Sequence, residues 1–298
     1  MKMKHFFNYL LLGLCGLSTQ TCQKNEISEN QVQSKPFNLS LLAQPVSEQT
    51  KAAYLGLDFA WEAGDLAAII APNNLYSTLS LDTLSAGRKV GIFKGTLNVW
   101  EGEKEIYLVY PWLSDGKERF NQTENSFNFS LAEIQSFNCV DQAQKNKDNV
   151  RYSLMLGKTI TSSANNLSIE LNQMLSFIDF KVSNTGNYKV REIQIESNDS
   201  VFNRSGTFNL SDFSFTPGKK AKRISVVPIN NQTGDITLPI TLFPVNLSPS
   251  GLNKEIFADV IAEDNTSGQL KLFRFNKGVP SKAYEKIPDI WLFSIYRQ

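Results

Sequence analysis

The chain has 298 residues, of which 41% are hydrophobic and 20% are charged, and its net charge is +1. This length suits about two domains, and the composition is that of a folded globular protein. Because the net charge is close to zero, the chain has no strong field to attract nucleic acid. Its single histidine is His5, so the rest of the chain lacks the residue that serine–histidine, cysteine–histidine and histidine–zinc sites require. We predict no enzyme activity, cofactor or metal site.

The first 21 residues have the pattern of an export signal. A short basic region, Met1–His5, precedes the apolar run Phe6–Leu17. That run is too short to span a bilayer and is typical of a secretory signal. The small, polar segment Ser18–Thr21 comes next and is followed by Cys22, which indicates a lipoprotein with Cys22 as the acylated first residue. The alternative is an ordinary cleaved signal with a chance cysteine. We predict a signal peptide over 1–21 and a flexible tether over 22–36.

After the tether, strand patterns recur and only one short helix is indicated, at Leu131–Phe137. The strand patterns are rich in alternating or continuous apolar residues and are separated by Asn, Asp, Gly, Ser and Pro turns, which predicts an all-β fold of β-sandwiches. A polar stretch near residue 162 divides a sandwich over 37–162 from a second over 163–298. The predicted strands are Phe37–Leu41, Leu66–Ile70, Lys89–Phe93, Thr96–Trp100, Glu105–Tyr110, Leu167–Leu171, Phe177–Val182, Val190–Ile195, Ile224–Val227, Ile236–Pro244, Glu255–Ala262, Leu270–Phe275 and Ile290–Tyr296.

A series of fragments in fixed order carries a resemblance to a known family. They are Gln49–Ala52, Phe59–Asp65, Phe93–Thr96, Tyr107–Trp112, Tyr152–Met155, Gln173–Val182, Val190–Ile193 and Phe202–Leu210. Their order and spacing resemble the Bacteroidetes fimbrillin-like proteins, the Mfa-like and fimbrillin-A superfamily. The resemblance covers essentially the whole chain after the signal. One departure is Tyr152, which stands where the family commonly has Asp.

The resemblance implies two transthyretin-like β-sandwich domains in a lipoprotein exported to the cell outer membrane. Many such proteins are pilus subunits, in which a protease cuts the loop after the first strand. The first strand then leaves, and a C-terminal strand of the next subunit fills the groove. The implied function is a structural or adhesive subunit of a fimbria. Its implied partners are other fimbrial subunits, and its lipid holds it at the outer membrane.

Two segments are candidates for this donor-strand exchange. Lys51 lies where the protease would cut, although the best-known relatives have Arg there. The alternative for Lys51 is a solvated loop lysine. The final strand is apolar on both faces and therefore needs cover on both sides, either in a neighbour's groove or as a central strand of its own sandwich. Its candidate donor residues are Ile290, Trp291, Leu292, Phe293, Ile295 and Tyr296.

The rival interpretation is a monomeric surface lipoprotein that binds glycan or a host protein. Tyr107, Tyr110 and Trp112 are expected to be core aromatics rather than a sugar-stacking platform. Trp61 is expected to pack beside a turn that Gly64 and Asp65 form. The basic run Lys219–Arg223 is expected at a turn and strand start, with a surface for acidic polysaccharide or a partner as its alternative.

Overall fold

The computed structural model describes residues 33–42, 61–71, 76–88, 90–99, 105–139, 148, 151–160, 166–184, 187–230, 234–244, 256–275, 284–287 and 290–297. Most of these residues lie in strands, so the predicted all-β fold is confirmed. Helix among them is limited to α1 (Gly116–Arg119) and the helical positions Asp148 and Arg151, and one 3-10 turn lies at Thr83–Ser85. No helix in the described ranges has the length and apolar character needed to cross a membrane.

The described strands number 23 and are labelled in chain order. They are β1 (Gln33–Leu42), β2 (Leu66–Ile70), β3 (Tyr76–Leu81), β4 (Val90–Val99), β5 (Glu105–Tyr110), β6 (Phe120–Asn121), β7 (Ser126–Ser130), β8 (Ile134–Asn138), β9 (Met155–Ile160), β10 (Asn166–Glu170), β11 (Asn172–Gln173), β12 (Ser176–Asn184), β13 (Tyr188–Ser197), β14 (Phe202–Asn203), β15 (Ser205–Asn209), β16 (Phe215–Pro217), β17 (Lys220–Ala221), β18 (Arg223–Ile229), β19 (Ile236–Leu242), β20 (Ile256–Asp264), β21 (Leu270–Phe275), β22 (Tyr284–Ile287) and β23 (Ile290–Arg297).

The largest sheet has eight strands in the order β10-β1-β4-β3-β2-β5-β9-β11. Its two end strands, β10 and β11, are separated in the chain by Leu171 alone. The sheet therefore turns back on itself and encloses a core, which we call the first core. The buried residues of the first core are Trp61, Ala67, Ile69, Ala71, Leu79, Leu81, Phe93, Ile106, Leu108, Tyr110, Met155, Leu167, Ile169 and Leu171.

Strand β2 is buried on both faces. Ala67 and Ile69 point into the first core, whereas Ala68 and Ile70 point into a second core on the other side of the sheet. Successive residues of a strand face opposite sides, so a strand between two cores must be apolar at every position. This explains the continuous apolar run from which the strand was predicted.

The second core lies between two further sheets, with strand orders β19-β12-β23-β22 and β21-β20-β13-β18-β8. Both sheets contribute apolar side chains to one cluster, as in a β-sandwich. The buried residues from these two sheets are Phe137, Ile178, Phe180, Val182, Tyr188, Val190, Ile193, Ile195, Ile224, Val226, Ile236, Leu238, Ile240, Leu242, Val260 and Ala262.

Strand pairing crosses the predicted division near residue 162 in both directions. β8 precedes that residue and pairs in parallel with β18. β7 also precedes it and pairs with β15. In the opposite direction, β10 and β11 follow residue 162 and pair with β1 and β9. These strand pairings join the ranges 37–162 and 163–298. Their division into two β-sandwich domains stays a prediction.

The structure corrects two elements of the sequence analysis. The helix predicted at Leu131–Phe137 is wrong, because Ile134–Asn138 is strand β8. The strands predicted on either side of Gly95 are one continuous strand, β4. Gly95 does not form a turn there. Instead, it allows β3 to approach closely, since a Cβ at this position would lie 2.5 Å from Leu79 Cδ2 and 2.9 Å from the carbonyl oxygen of Thr78.

Candidate strand-exchange site

Strand β1 lies inside the eight-stranded sheet, between β10 and β4. It pairs in parallel with β10, from Asn38 opposite Asn166 to Leu42 opposite Glu170. If β1 left, one backbone edge of β10 and one of β4 would lose their hydrogen-bonding partners. Two backbone edges without hydrogen-bonding partners, one on each side of a gap, are what an added strand requires.

The two strands on either side of β1 carry apolar side chains on the face that points into the first core. On β10, Leu167 and Ile169 are buried in the first core, and on β4, Phe93 is buried there too. Removing β1 would bring this apolar surface into contact with water, at about 25 cal/mol for each Å² exposed. A replacement strand would cover the surface again and also restore the backbone hydrogen bonds.

An aromatic cluster fixes the part of the first core that lies nearest to β4. Trp61 is 1% exposed and makes edge-to-face contacts with Phe93 and Tyr110, at ring-centroid distances of 4.9 and 4.8 Å. The Trp61 backbone N–H donates to the carbonyl of Arg88, and the Trp61 carbonyl accepts from Gly87. Trp61 is therefore held by its ring and its backbone together.

A tight turn follows Trp61, as predicted. Gly64 has a φ of +95°, a conformation that glycine adopts without strain. The Asp65 carboxylate accepts from the backbone N–H of Glu62 at 2.9 Å, and the Asp65 backbone N–H donates to the Glu62 carbonyl at 3.0 Å. Burial raises the pKa of Asp65, although hydrogen bonds from the Glu62 backbone and the Tyr110 side chain oppose that shift. Burial also raises the pKa of Tyr110.

The aromatic residues of the 107–112 segment belong to the cores, as predicted. Tyr110 faces the first core, while Tyr107 and Trp112 face the second core, and all three are buried. The Trp112 ring contacts those of Tyr76 and Phe127 at centroid distances of 5.6 and 6.3 Å. A sugar-stacking platform needs exposed ring faces, and these rings are covered.

The C-terminal strand β23 lies in its own subunit's sheet. Its backbone pairs along eight residues with β12, from Asn184 opposite Ile290 to Phe177 opposite Arg297. On its other side it pairs with β22. In this arrangement β23 is an internal strand, and donating it to a neighbour would vacate its place between β12 and β22. The donor role of residues 290–296 stays a prediction.

Two other predicted site residues, Cys22 and Lys51, lie outside the described residues. Their lipidation and cleavage therefore stay predictions. Within the described ranges, no group of three or more His, Cys, Asp or Glu side chains is arranged to hold a metal ion. The chemistry that this site offers is noncovalent: backbone hydrogen bonds and an apolar groove.

The sequence analysis missed how one exposed sheet edge is closed. On the outer side of β8, the backbone N–H of Ser136 donates to the Tyr152 hydroxyl at 3.1 Å. The N–H of Asn138 donates to the Asp148 carboxylate at 2.7 Å. Free N–H groups on an edge invite unwanted strand pairing, and side-chain acceptors remove them. The sequence signal for this cap was Tyr152, which stands where the fimbrillin-like family commonly has Asp.

No protein-family model matches the chain, and no curated protein matches it. Among solved structures, a candidate cell adhesion protein of Bacteroides fragilis matches over 89% of this chain and 98% of its own, with a TM-score of 0.51 and 10% identity. Fimbrial proteins of Bacteroides ovatus and Bacteroides vulgatus match over 80% and 82% of this chain and 44% and 91% of their own. Their identities are 14% and 10%, and both TM-scores are 0.39. The chain therefore has the fold of the Bacteroides fragilis protein, in agreement with the all-β fold that the fimbrillin-like resemblance implies.

Proposed function

We propose that this protein is a structural or adhesive subunit of a cell-surface pilus, exported as a lipoprotein and assembled by donor-strand exchange. The observation that carries the proposal is the position of β1 between β10 and β4. β1 is the first of the described strands, and its loss leaves a groove with two open backbone edges. The shared fold with a candidate cell adhesion protein supports a role at the cell surface.

A single cut would have two effects. Lys51 follows β1, which ends at Leu42, and precedes Trp61, the next described residue. Cleavage after Lys51 would therefore separate the body of the subunit from β1 and from the lipid on Cys22 together. Once β1 then unpairs from β10 and β4, the groove opens and the subunit is no longer held by its anchor.

The incoming strand would then replace what β1 supplied. It would pair with β10 and β4 and cover the apolar surface near Leu167, Ile169 and Phe93. The C-terminal strand β23 of a neighbouring subunit is the proposed donor. Unpairing such a strand exposes the backbone ladder and the apolar surface at once, so the assembly would be kinetically stable.

The alternative function is a monomeric surface lipoprotein that binds glycan or a host protein. The pairing of β23 within its own sheet favours this alternative. In that case β1 stays in place and the loop after it remains uncut.

Limited proteolysis distinguishes the two functions. The purified protein is treated lightly with trypsin, its product is sequenced from the N-terminus, and it is run unheated on an SDS gel. A cut after Lys51 followed by a ladder of SDS-resistant oligomers is expected for the pilus subunit. An uncut monomer, or a cut protein that never forms a ladder, would overturn the strand-exchange proposal.

Matched variants make the result specific. Lys51→Gln should abolish both the cut and the ladder, whereas Lys117→Gln on the exposed helix α1 should leave both unchanged. A synthetic peptide of residues 289–298 should compete for the groove and shorten the ladder. If the peptide has no effect at a large excess, β23 is not the donor strand.

A further inference from the structure

A cluster of exposed cations lies at the end of the β15–β16 hairpin. Lys219, Lys220, Lys222 and Arg223 are all exposed and follow the turn at Gly218. Four cations within five residues span roughly 14 Å in extended backbone. We call these four residues the basic corner.

The surrounding chain does not neutralise this charge. Between Asp199 and Asp235 the sequence has five cations and a single acid, Asp212. Asp212 lies in the turn at the opposite end of the β15–β16 hairpin, where its carboxylate accepts from the backbone N–H of Ser214 at 2.9 Å. None of the four cations forms an ion pair with another described residue.

Two carboxylates near the basic corner already have other partners. Glu196 is the Cα partner of Arg223 across the sheet, but its carboxylate binds Arg274 at 3.0 Å. Glu133 accepts from Arg204 at 2.9 Å. Glu196 and Glu133 are therefore each engaged by a cation outside the basic corner.

The backbone under these side chains is fixed on both sides. The Lys219 carbonyl accepts from the N–H of Arg204 at 2.7 Å, and the Lys222 carbonyl accepts from the N–H of Ser197 at 2.8 Å. The Lys219 N–H donates to the Ser205 hydroxyl at 2.9 Å. A Cβ on Gly218 would lie 2.5 Å from that hydroxyl oxygen, so the turn requires glycine. The lysines therefore extend from a preorganised scaffold.

We propose that the basic corner binds a sulfated or uronic acid-rich glycan chain. A short run of exposed Lys and Arg on a nearly neutral protein is typical of heparin-type and nucleic-acid patches. Proteins that bind single-stranded nucleic acid add exposed aromatic rings on which bases stack. The neighbouring rings of Phe202 and Phe208 are buried, and the half-buried ring of Phe215 packs against Phe208 and Phe243. These rings therefore offer no stacking platform. This favours the polyanionic glycan.

Binding to immobilised heparin and chondroitin sulfate tests the proposal. The variant K219Q/K220Q/K222Q/R223Q should lose at least about tenfold in affinity, as four contacts of exposed ion-pair strength imply. The variant R88Q/K117Q/R151Q/K181Q removes the same charge from exposed sites elsewhere and should bind like the native protein. Binding should weaken steeply as salt shortens the screening length. Replacing the three lysines by arginine should preserve it.

Three results would overturn the proposal. They are the absence of saturable binding to either glycan, an equal loss in the two glutamine variants, and equally tight binding of single-stranded DNA through the same residues. Unchanged thermal unfolding of the variants excludes misfolding as the cause. The site does not rest on strand exchange, because the basic-corner variant should still be cut and form the same oligomer ladder.

Discussion

The side-chain amide of Gln135 makes both hydrogen bonds that a neighbouring strand would make to Thr241. Its Nε2 donates to the Thr241 carbonyl at 2.7 Å, and its Oε1 accepts from the Thr241 N–H at 2.8 Å. Both residues are fully buried. Because β8 and β19 are edge strands of the two sheets of the sandwich, this pair joins the sheets along one side.

We expect Gln135→Leu to lower the free energy of unfolding by about 2–4 kcal/mol, because it leaves a buried N–H and a buried carbonyl without partners. Urea unfolding measures the loss. Gln269→Leu, at an exposed position, serves as the control and should change stability by less than about 0.5 kcal/mol. Equal stability of the two variants would contradict the role of the Gln135 amide.

Gly91→Ala should destabilise the first core. A Cβ at Gly91 would lie 2.8 Å from Trp61 Nε1, and the buried indole is already in contact with the rings of Phe93 and Tyr110. Overpacking of this kind typically costs about 1–3 kcal/mol. The melting temperature, followed by tryptophan fluorescence, should fall, whereas Ile92→Ala on the exposed side of the same strand should have a small effect.

Asp65→Asn should change how stability depends on pH. Burial raises the pKa of Asp65 above its ordinary value of 3.8, so the folded protein holds that proton more tightly than the unfolded chain does. Ionisation of Asp65 therefore lowers the stability of the native protein as pH rises through this range. Relative to Asp65→Asn, the native protein should lose stability from pH 3.8 upward and then level off. Urea unfolding at a series of pH values gives this difference.

Asp264→Asn should show the opposite dependence. Hydrogen bonds from Lys271 and from the backbone N–H groups of Thr266 and Ser267 lower the pKa of Asp264 to about 2. The stabilisation is fully present above the ordinary pKa of 3.8 and is lost as pH falls toward 2. The stability advantage of the native protein over this variant should shrink over that interval. An advantage that does not vary between pH 2 and 5 would contradict the assignment.

Tyr152→Phe tests the closed edge of β8. It removes the acceptor for the Ser136 N–H but keeps the ring that contacts Phe137 at 5.0 Å. We expect a loss of about 0.5–1.5 kcal/mol and faster hydrogen exchange at the Ser136 amide. Tyr76→Phe, whose ring lies against Trp112, should leave that amide unchanged.

The sequence predicted strands best where local apolar pattern and burial agree. Leu66–Ile70 and Glu105–Tyr110 have the predicted limits. Leu270–Phe275 has them as well, although Leu270 and Leu272 are exposed. It failed at β8, because Ile134 and Phe137 have helical spacing while the strand that pairs with β8, β18, follows it by more than 80 residues. Pattern analysis contains no information about such a contact.

The candidate site was only partly predictable, for the same reason. The apolar first and last strands are visible in the sequence, but the neighbours of β1 are not. β10 lies more than 120 residues after β1, and parallel pairing over that separation leaves no local signal. The caps from Tyr152 and Asp148 likewise depend on tertiary proximity.

The single residue that separates β10 from β11 limits how the proposed filament can grow. Since the sheet returns on itself at Leu171, loss of β1 opens a gap between β10 and β4 rather than creating a free sheet edge. The gap is two strand spacings wide, about 9–10 Å, which admits one strand and no more. Each subunit would therefore accept one neighbour through this gap, and the polymer would grow as a linear, unbranched chain.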